Sequence, residues 1–153
     1  MKFKTTQAAL NHHKDMVTAV CWTGGRGAAP GQQAELYSAG DDRLVTRWNL
    51  DGETVGKVCD LPEGTFVTDL SWFPGSSDTF AVSCTDGTFR LINKNGREDK
   101  RVSGVSLGAV ITLKWNYDGS ALATGGEDGC VKVYSRVGVP RYEIGRASCR
   151  ERV

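Results

Sequence analysis

The chain has 153 residues, 39% of them hydrophobic and 24% charged, with a formal net charge of +1. That length suits one domain of ordinary globular composition. The basic residues are spread out and matched by acids, which argues against a nucleic-acid footprint, and no apolar run approaches the ~20 residues of a membrane-spanning helix.

In chain order, residues 1–10 (MKFKTTQAAL) carry two lysines but no apolar core, so they do not read as a secretory signal. An edge strand that closes a sheet is expected there. His12-His13 follows, without the spaced Cys or Asp that a metal site needs. Residues 17–22 (VTAVCW) read as a strand. The Gly-rich stretch after Trp22, running to Ala34, lacks the Gly-Lys-Ser/Thr ending of a phosphate-binding loop and is expected to be a surface insertion.

Residues 35–49 read as two short strands about a tight turn. Leu36 and Ser38 alternate with Tyr37 and Ala39, and Leu44, Thr46 and Trp48 alternate with Val45 and Arg47. Gly40-Asp41-Asp42 supplies the turn, since Gly tolerates positive φ and Asp accepts bonds from nearby backbone N–H groups. A hairpin turn at Asn49-Leu50-Asp51-Gly52 and an outer strand over 53–59 complete the unit.

The same order returns twice. Residues 67–72 (VTDLSW) and 110–115 (VITLKW) repeat the first strand, and residues 79–93 and 120–135 repeat the strand–turn–strand. The turn aspartates Asp42, Asp86 and Asp128 lie 44 and 42 residues apart, and the strand-ending Trp22, Trp72 and Trp115 lie 50 and 43 apart. Turns at Phe73-Pro74-Gly75, at Asn95-Gly96 and at residues 116–119 fall where the pattern requires them. A period of about 40–45 residues with four strands per unit is that of a β-propeller blade. The expected fold class is therefore all-β: a partial β-propeller of about three four-stranded blades, around residues 13–60, 63–102 and 106–142, in an open ring.

The pattern resembles the WD repeat over nearly the whole chain. In that family a His before the first strand, a Ser or Thr on the second, an Asp in the turn and a Trp on the third form a hydrogen-bonded tetrad. His13, Ser38, Asp42 and Trp48 fall on those positions. The third repeat has Ser106, Thr124, Asp128 and Tyr134 there, and the second has Glu63, Val82, Asp86 and Ile92. No repeat has Asp after the Trp position, where Asn49, Asn93 and Ser135 stand.

Residues 143–153 (EIGRASCRERV) break the repeat with clustered Arg and look like a translated sequencing adapter. A disordered, non-native tail is expected there, after an incomplete propeller over 1–142. Three blades do not close a ring of about four to eight, so the chain reads as the first part of a longer propeller protein, with an exposed blade face and poor solubility when isolated. The five cysteines, odd in number and without close spacing, are expected to be reduced thiols of an intracellular protein. No N-x-[ST] acceptor occurs.

No constellation points to catalysis, a metal or a cofactor, and a buried turn carboxylate is expected to be structural. Binding is expected on the turn-loop face, where Asp41, Arg43, Thr85 and Glu127 flank the aspartates. The stretches HHKDMVTAVCW, RWNLDGETVGKVCDLP, DGTFRLINKNGR and residues 108–119 (GAVITLKWNYDG) resemble the WD-repeat subunits, of the eighty-kilodalton kind, of intraflagellar transport complex B. The resemblance implies a non-catalytic scaffold required for cilium assembly, cytoplasmic and at the cilium or its base. Its partners would be other protein subunits of a transport complex, with no nucleic acid, membrane insertion or small-molecule substrate. A second propeller and helical repeats would follow. The alternatives are a WD-repeat scaffold of a vesicle coat and a propeller attached to a lost catalytic domain.

Overall fold

The computed structural model describes residues 1–3, 13–23, 30–31, 33–49, 54–76 and 78–145. Its strands form three four-stranded antiparallel sheets, each a simple meander. The first is β1 (Val17–Trp22), β2 (Leu36–Gly40), β3 (Leu44–Trp48) and β4 (Thr54–Asp60). The second is β5 (Val67–Trp72), β6 (Thr79–Cys84), β7 (Phe89–Asn93) and β8 (Glu98–Val102). The third is β9 (Val110–Trp115), β10 (Ala121–Gly126), β11 (Val131–Ser135) and β12 (Pro140–Ile144).

The sheets pack face to face in chain order, with β1 against β5 and β5 against β9. A single meander cannot bury both faces of its strands, so each sheet needs a neighbour. The middle sheet has two, and both faces of β6 and β7 are buried. The third sheet has one, and β10 alternates between covered and open positions. The described sheets thus form an open stack rather than a closed ring.

Between the first two sheets, Tyr37, Ala39 and Val45 pack on Leu70, Trp72, Phe80, Val82 and Ile92. The Tyr37 and Trp72 rings meet edge-on with centroids 4.6 Å apart, and Trp72 lies 5.1 Å from Phe80. Between the second and third, Ala81, Phe89 and Leu91 pack on Val110, Leu113, Leu122 and Tyr134. Hydroxyls stitch the same junctions near their inner strands. Thr18 Oγ1 donates to the Val67 carbonyl at 2.7 Å, and Thr68, one repeat later, donates to the Val110 carbonyl. Asp69 adds bonds from Thr112 Oγ1 at 2.8 Å and the Leu113 N–H at 3.1 Å.

Several expectations need adjusting. β12 runs to Ile144, two residues past the boundary expected at 142, because Lys132 and Val131 offer Glu143 and Ile144 backbone partners. Residues 146–153 lie outside the described residues. Cys21, Cys59 and Cys84 are free, whereas Cys130 is disulfide-bonded, against the expectation of a reduced thiol there. Five widely spaced cysteines carry no signal for a bridge. Burial pushes the Cys59 thiol up to about 12, so it is chemically quiet. Met1 to Phe3 are not in a strand, and residues 4–10, the rest of the expected edge strand, lie outside the described residues. So do residues 24–29 and 32 of the Gly-rich insertion and residues 50–53 of the first hairpin turn. The base of that insertion is tied by the Thr23 N–H donating to the Glu35 carbonyl at 2.8 Å and the Glu35 N–H donating to Thr23 Oγ1 at 2.8 Å.

The turn after β7 shows how closely sheets approach. Gly96 has φ +89°, and a Cβ built there would collide with the Val58 carbonyl oxygen on β4 of the first sheet. Gly64 has φ +80° with open space around it. Gly96→Ala is expected to lower stability by more than ~1 kcal/mol, and Gly64→Ala by less, since only backbone strain acts there. Urea unfolding of the two variants checks this. Equal losses would contradict the contact between turn and sheet.

Candidate functional site

The turn between β2 and β3 gathers four side chains from separate positions. Asp42 lies in the turn, Ser38 and Trp48 face the same side of paired strands, and His13 precedes β1. The Trp48 Nε1–H donates to Ser38 Oγ at 2.8 Å. Ser38 Oγ lies 2.7 Å from His13 Nε2, and His13 Nδ1 lies 3.0 Å from both Asp42 carboxylate oxygens. One assignment satisfies every atom: the Ser38 hydroxyl donates to Nε2, and Nδ1–H donates to Asp42. Asp42 also accepts from the backbone N–H groups of Lys14 and Leu44. Burial would raise the Asp42 carboxyl, but the bonds from His13, Lys14 and Leu44 outweigh it and hold the group below its ordinary value. Its stabilising effect is therefore present above the unfolded carboxylate range and is lost as pH falls through the folded value.

This order of Ser, His and Asp can also be that of a hydrolase triad. The surroundings speak for structure. Ser38 is 4% exposed and its oxygen already accepts the Trp48 indole N–H, so the hydroxyl is a buried member of the relay. Gly40 is the reason the His fits: a Cβ there would lie 2.9 Å from His13 Nδ1 and 3.0 Å from Asp42 Oδ1.

The other two turns solve the same problem differently. In the third repeat Gly126 takes the place of Gly40, and a Cβ on it would lie 2.5 Å from Ser106 Oγ and 2.8 Å from Asp128 Oδ1. Ser106 thus stands in the room that His13 fills. Asp128 accepts from the Cys130 and Leu107 N–H groups. Thr124 Oγ1 donates to the Lys132 carbonyl, and Tyr134 turns its ring into the second core, 4.9 Å from Phe89.

In the second repeat Cys84 stands at the Gly40 position, so its Cβ takes up the space for a histidine. Val82 and Ile92 join the first core, and Glu63 is exposed. Asp86 instead accepts from the Thr88 hydroxyl at 2.6 Å and the Thr88 N–H at 3.1 Å. The Arg90 guanidinium reaches it at 3.1 Å and reaches Glu98 at 2.9 Å. Burial would raise the Asp86 carboxyl, but Thr88 and Arg90 outweigh it and hold the group low. Sequence reasoning missed Arg90. The signal was present, a lone Arg inside the apolar strand Phe89–Asn93, four residues after the turn carboxylate.

The four loop residues sit in equivalent turns, between the second and third strands of their own sheets, and two of them are partly spent on structure. The Asp41, Thr85 and Glu127 N–H groups donate to the Met16, Phe66 and Ala109 carbonyls, one repeated bond per sheet. Thr85 Oγ1 accepts the Phe66 N–H, and Glu127 Oε2 accepts the Ala109 N–H. Asp41 and Arg43 contribute only backbone groups to this scaffold, and Arg43 sits at φ 67°. Among the described residues, no group of three or more His, Cys, Asp or Glu could hold a metal ion. No described helix is long and apolar enough to cross a membrane.

Comparison with known proteins gives a consistent picture. Residues 100–135 match the family model of the WD domain, G-beta repeat. The mouse (Mus musculus) protein named Intraflagellar transport protein 80 homolog is 36% identical over 152 residues, 94% of this chain and 18% of the relative. The rat (Rattus norvegicus) protein of the same name matches equally. Bovine (Bos taurus) Coronin-7 is 28% identical over 131 residues, 81% of this chain and 14% of that protein. The chain therefore spans 18% of the length of the rodent relatives. A solved structure, described as the structure of U3-55K, superposes with a TM-score of 0.72 at 15% identity, over 89% of this chain and 41% of that one, a likeness of fold alone.

The tetrad gives a direct test. Ser38→Ala leaves the Trp48 N–H and His13 Nε2 without their shared partner, and is expected to cost about 1–3 kcal/mol. Thermal unfolding at neutral pH measures it. A change no larger than that of an exposed Ser120→Ala control would contradict the relay.

Proposed function

We propose that the chain, whose residues 100–135 match the WD-domain model, is a WD-repeat, non-catalytic protein-interaction scaffold of intraflagellar transport complex B, acting in cilium assembly. The observation that carries this reading is the 36% identity to the mouse relative named for intraflagellar transport, held across 94% of the chain. Coronin-7, at 28% identity, shares the repeat less closely. The proposed partners are other protein subunits of that complex, and the proposed location is the cytoplasm at the cilium or its base.

The site chemistry supports a scaffold. Each turn carboxylate is used to fix its own sheet, by histidine in the first repeat and by arginine in the second. What these turns deliver is a row of positioned loops. Asp41 and Arg43 are the members whose side chains take no part in the bonds described above, so they are the proposed contact residues.

The test is affinity purification of the tagged chain from ciliated cells, with imaging of its location. Recovery of intraflagellar transport subunits and signal at the cilium base are expected. The double variant Asp41→Lys, Arg43→Glu is expected to lower that recovery several-fold while leaving the melting temperature unchanged. Recovery of vesicle-coat subunits in place of transport subunits would overturn the assignment. Unchanged recovery by the double variant would remove these two residues from it.

A further inference from the structure

We propose that a groove between the second and third sheets binds an acidic segment of a partner protein. Arg136 receives a carboxylate of that segment, and Phe73, Trp115 and Val137 receive an apolar side chain beside it. Phe73 follows β5, Trp115 ends β9 and Arg136 follows β11, so the groove opens on the edge opposite the aspartate turns. It holds about 320 Å³ and is lined by these residues together with Leu91 and Lys100. Its walls are two sheets of this chain that pack on each other, so it does not depend on where either end sheet stops.

The repeat shows what is distinctive here. Ser135 pairs with Ala121 as Asn93 pairs with Thr79, which aligns Arg136 and Val137 with Lys94 and Asn95 of the second sheet. Both turns close alike, the Gly138 and Gly96 N–H groups donating to the Ser135 and Asn93 carbonyls. Their side chains differ. Lys94 Nζ is paired with Asp78 at 3.0 Å. The residue aligned with Asp78 is Ser120, which has no charge to offer Arg136. Neither Arg136 nor Lys100 forms an ion pair among the described residues. The acid of the lining, Asp99, is already held by Arg97 at 2.9 Å. Val137, where the second sheet has a polar Asn, is 60% exposed.

The Arg136 guanidinium instead lies over the Phe73 ring, 4.6 Å from its centre. A ring contact does not use up the N–H fork, which can still take a carboxylate through two parallel bonds. Phe73 is itself fixed. Its ring meets Trp115 edge-on at 5.2 Å, and a Cβ on Gly119 would lie 2.4 Å from it. The cation is thus positioned beside an apolar floor before any partner arrives, which lowers the cost of binding.

Charge selects the occupant. Two unpaired cations call for acid, and a groove of this size suits the side chains of an extended segment. The chain's own remaining segments do not match. Residues 146–153 carry three arginines and one glutamate, and residues 4–10 and 24–29 carry no acid. This inference stands on the groove and not on the transport assignment, which none of the outcomes below would alter.

Selection of a displayed random-heptapeptide library on the whole chain tests it, with fluorescence anisotropy of the recovered peptides. Peptides with Asp or Glu beside Leu, Ile, Val or Phe are expected, bound more weakly as salt is raised. Arg136→Gln is expected to weaken their binding at least tenfold. Val137→Asn, which copies the second sheet's turn, is expected to weaken it several-fold. Lys94→Gln removes the same charge at the aligned position and is expected to change binding less than twofold. Arg136 and Val137 are exposed, so both variants are expected to keep the parent melting temperature. A parent chain that enriches no acidic peptide, peptides indifferent to Arg136→Gln, or equal losses from Arg136→Gln and Lys94→Gln would each overturn the proposal. So would a parent chain that self-associates and becomes monomeric on Arg136→Gln, since a second copy would then be the occupant.

Discussion

The structure depends on burying sheet against sheet. A four-stranded meander pairs the backbone of its inner strands, but apolar side chains on its faces must still leave water. Tyr37 set between Trp72 and Phe80, and Phe89 set on Tyr134, do this at successive junctions. The threonine hydroxyls that donate across the same junctions fix how far each sheet slides on the next. The remaining features, including which residues are core and which edge carries the loops, follow from that repeated contact.

The turns illustrate how one structural requirement accepts several solutions. A carboxylate near a tight turn needs donors. In the first repeat it receives His13, because Gly40 leaves room beside it. In the second, Cys84 closes that room, and Arg90 arrives from the neighbouring strand together with Thr88. In the third, Ser106 takes the smaller space and backbone N–H groups complete the set. The fold survives this variation because strand spacing and facing residues hold the sheets, while each turn secures only its own hairpin.

Much of this was legible in the chain. The inner strands Val17–Trp22, Val67–Trp72 and Val110–Trp115 coincide with the sequence expectation, because alternation and flanking turn residues bound them on both sides. The four residues His13, Ser38, Asp42 and Trp48 could be found because each occupies a fixed place in the repeat. Arg90 was passed over, since a charged residue on a short strand reads as solvent-facing, although its place in an apolar strand four residues after the turn carboxylate was a signal. The extension of β12 to Ile144 was hidden by the Arg-rich composition that follows, and the bridge at Cys130 by the lack of any spacing rule. Partner choice is less legible still, because the loop side chains that secure the turns are of the same polar types as those that bind.

The claim that neighbouring sheets hold each other through their facing aromatics can be measured by a double-mutant cycle across the first junction. Unfolding free energies of the parent chain, Tyr37→Leu, Trp72→Leu and the double variant are compared. The account predicts a favourable coupling of about 0.5–1.5 kcal/mol between the two rings. Additive losses, agreeing within ~0.3 kcal/mol, would mean that the two sheets do not meet there and would contradict the stacked architecture.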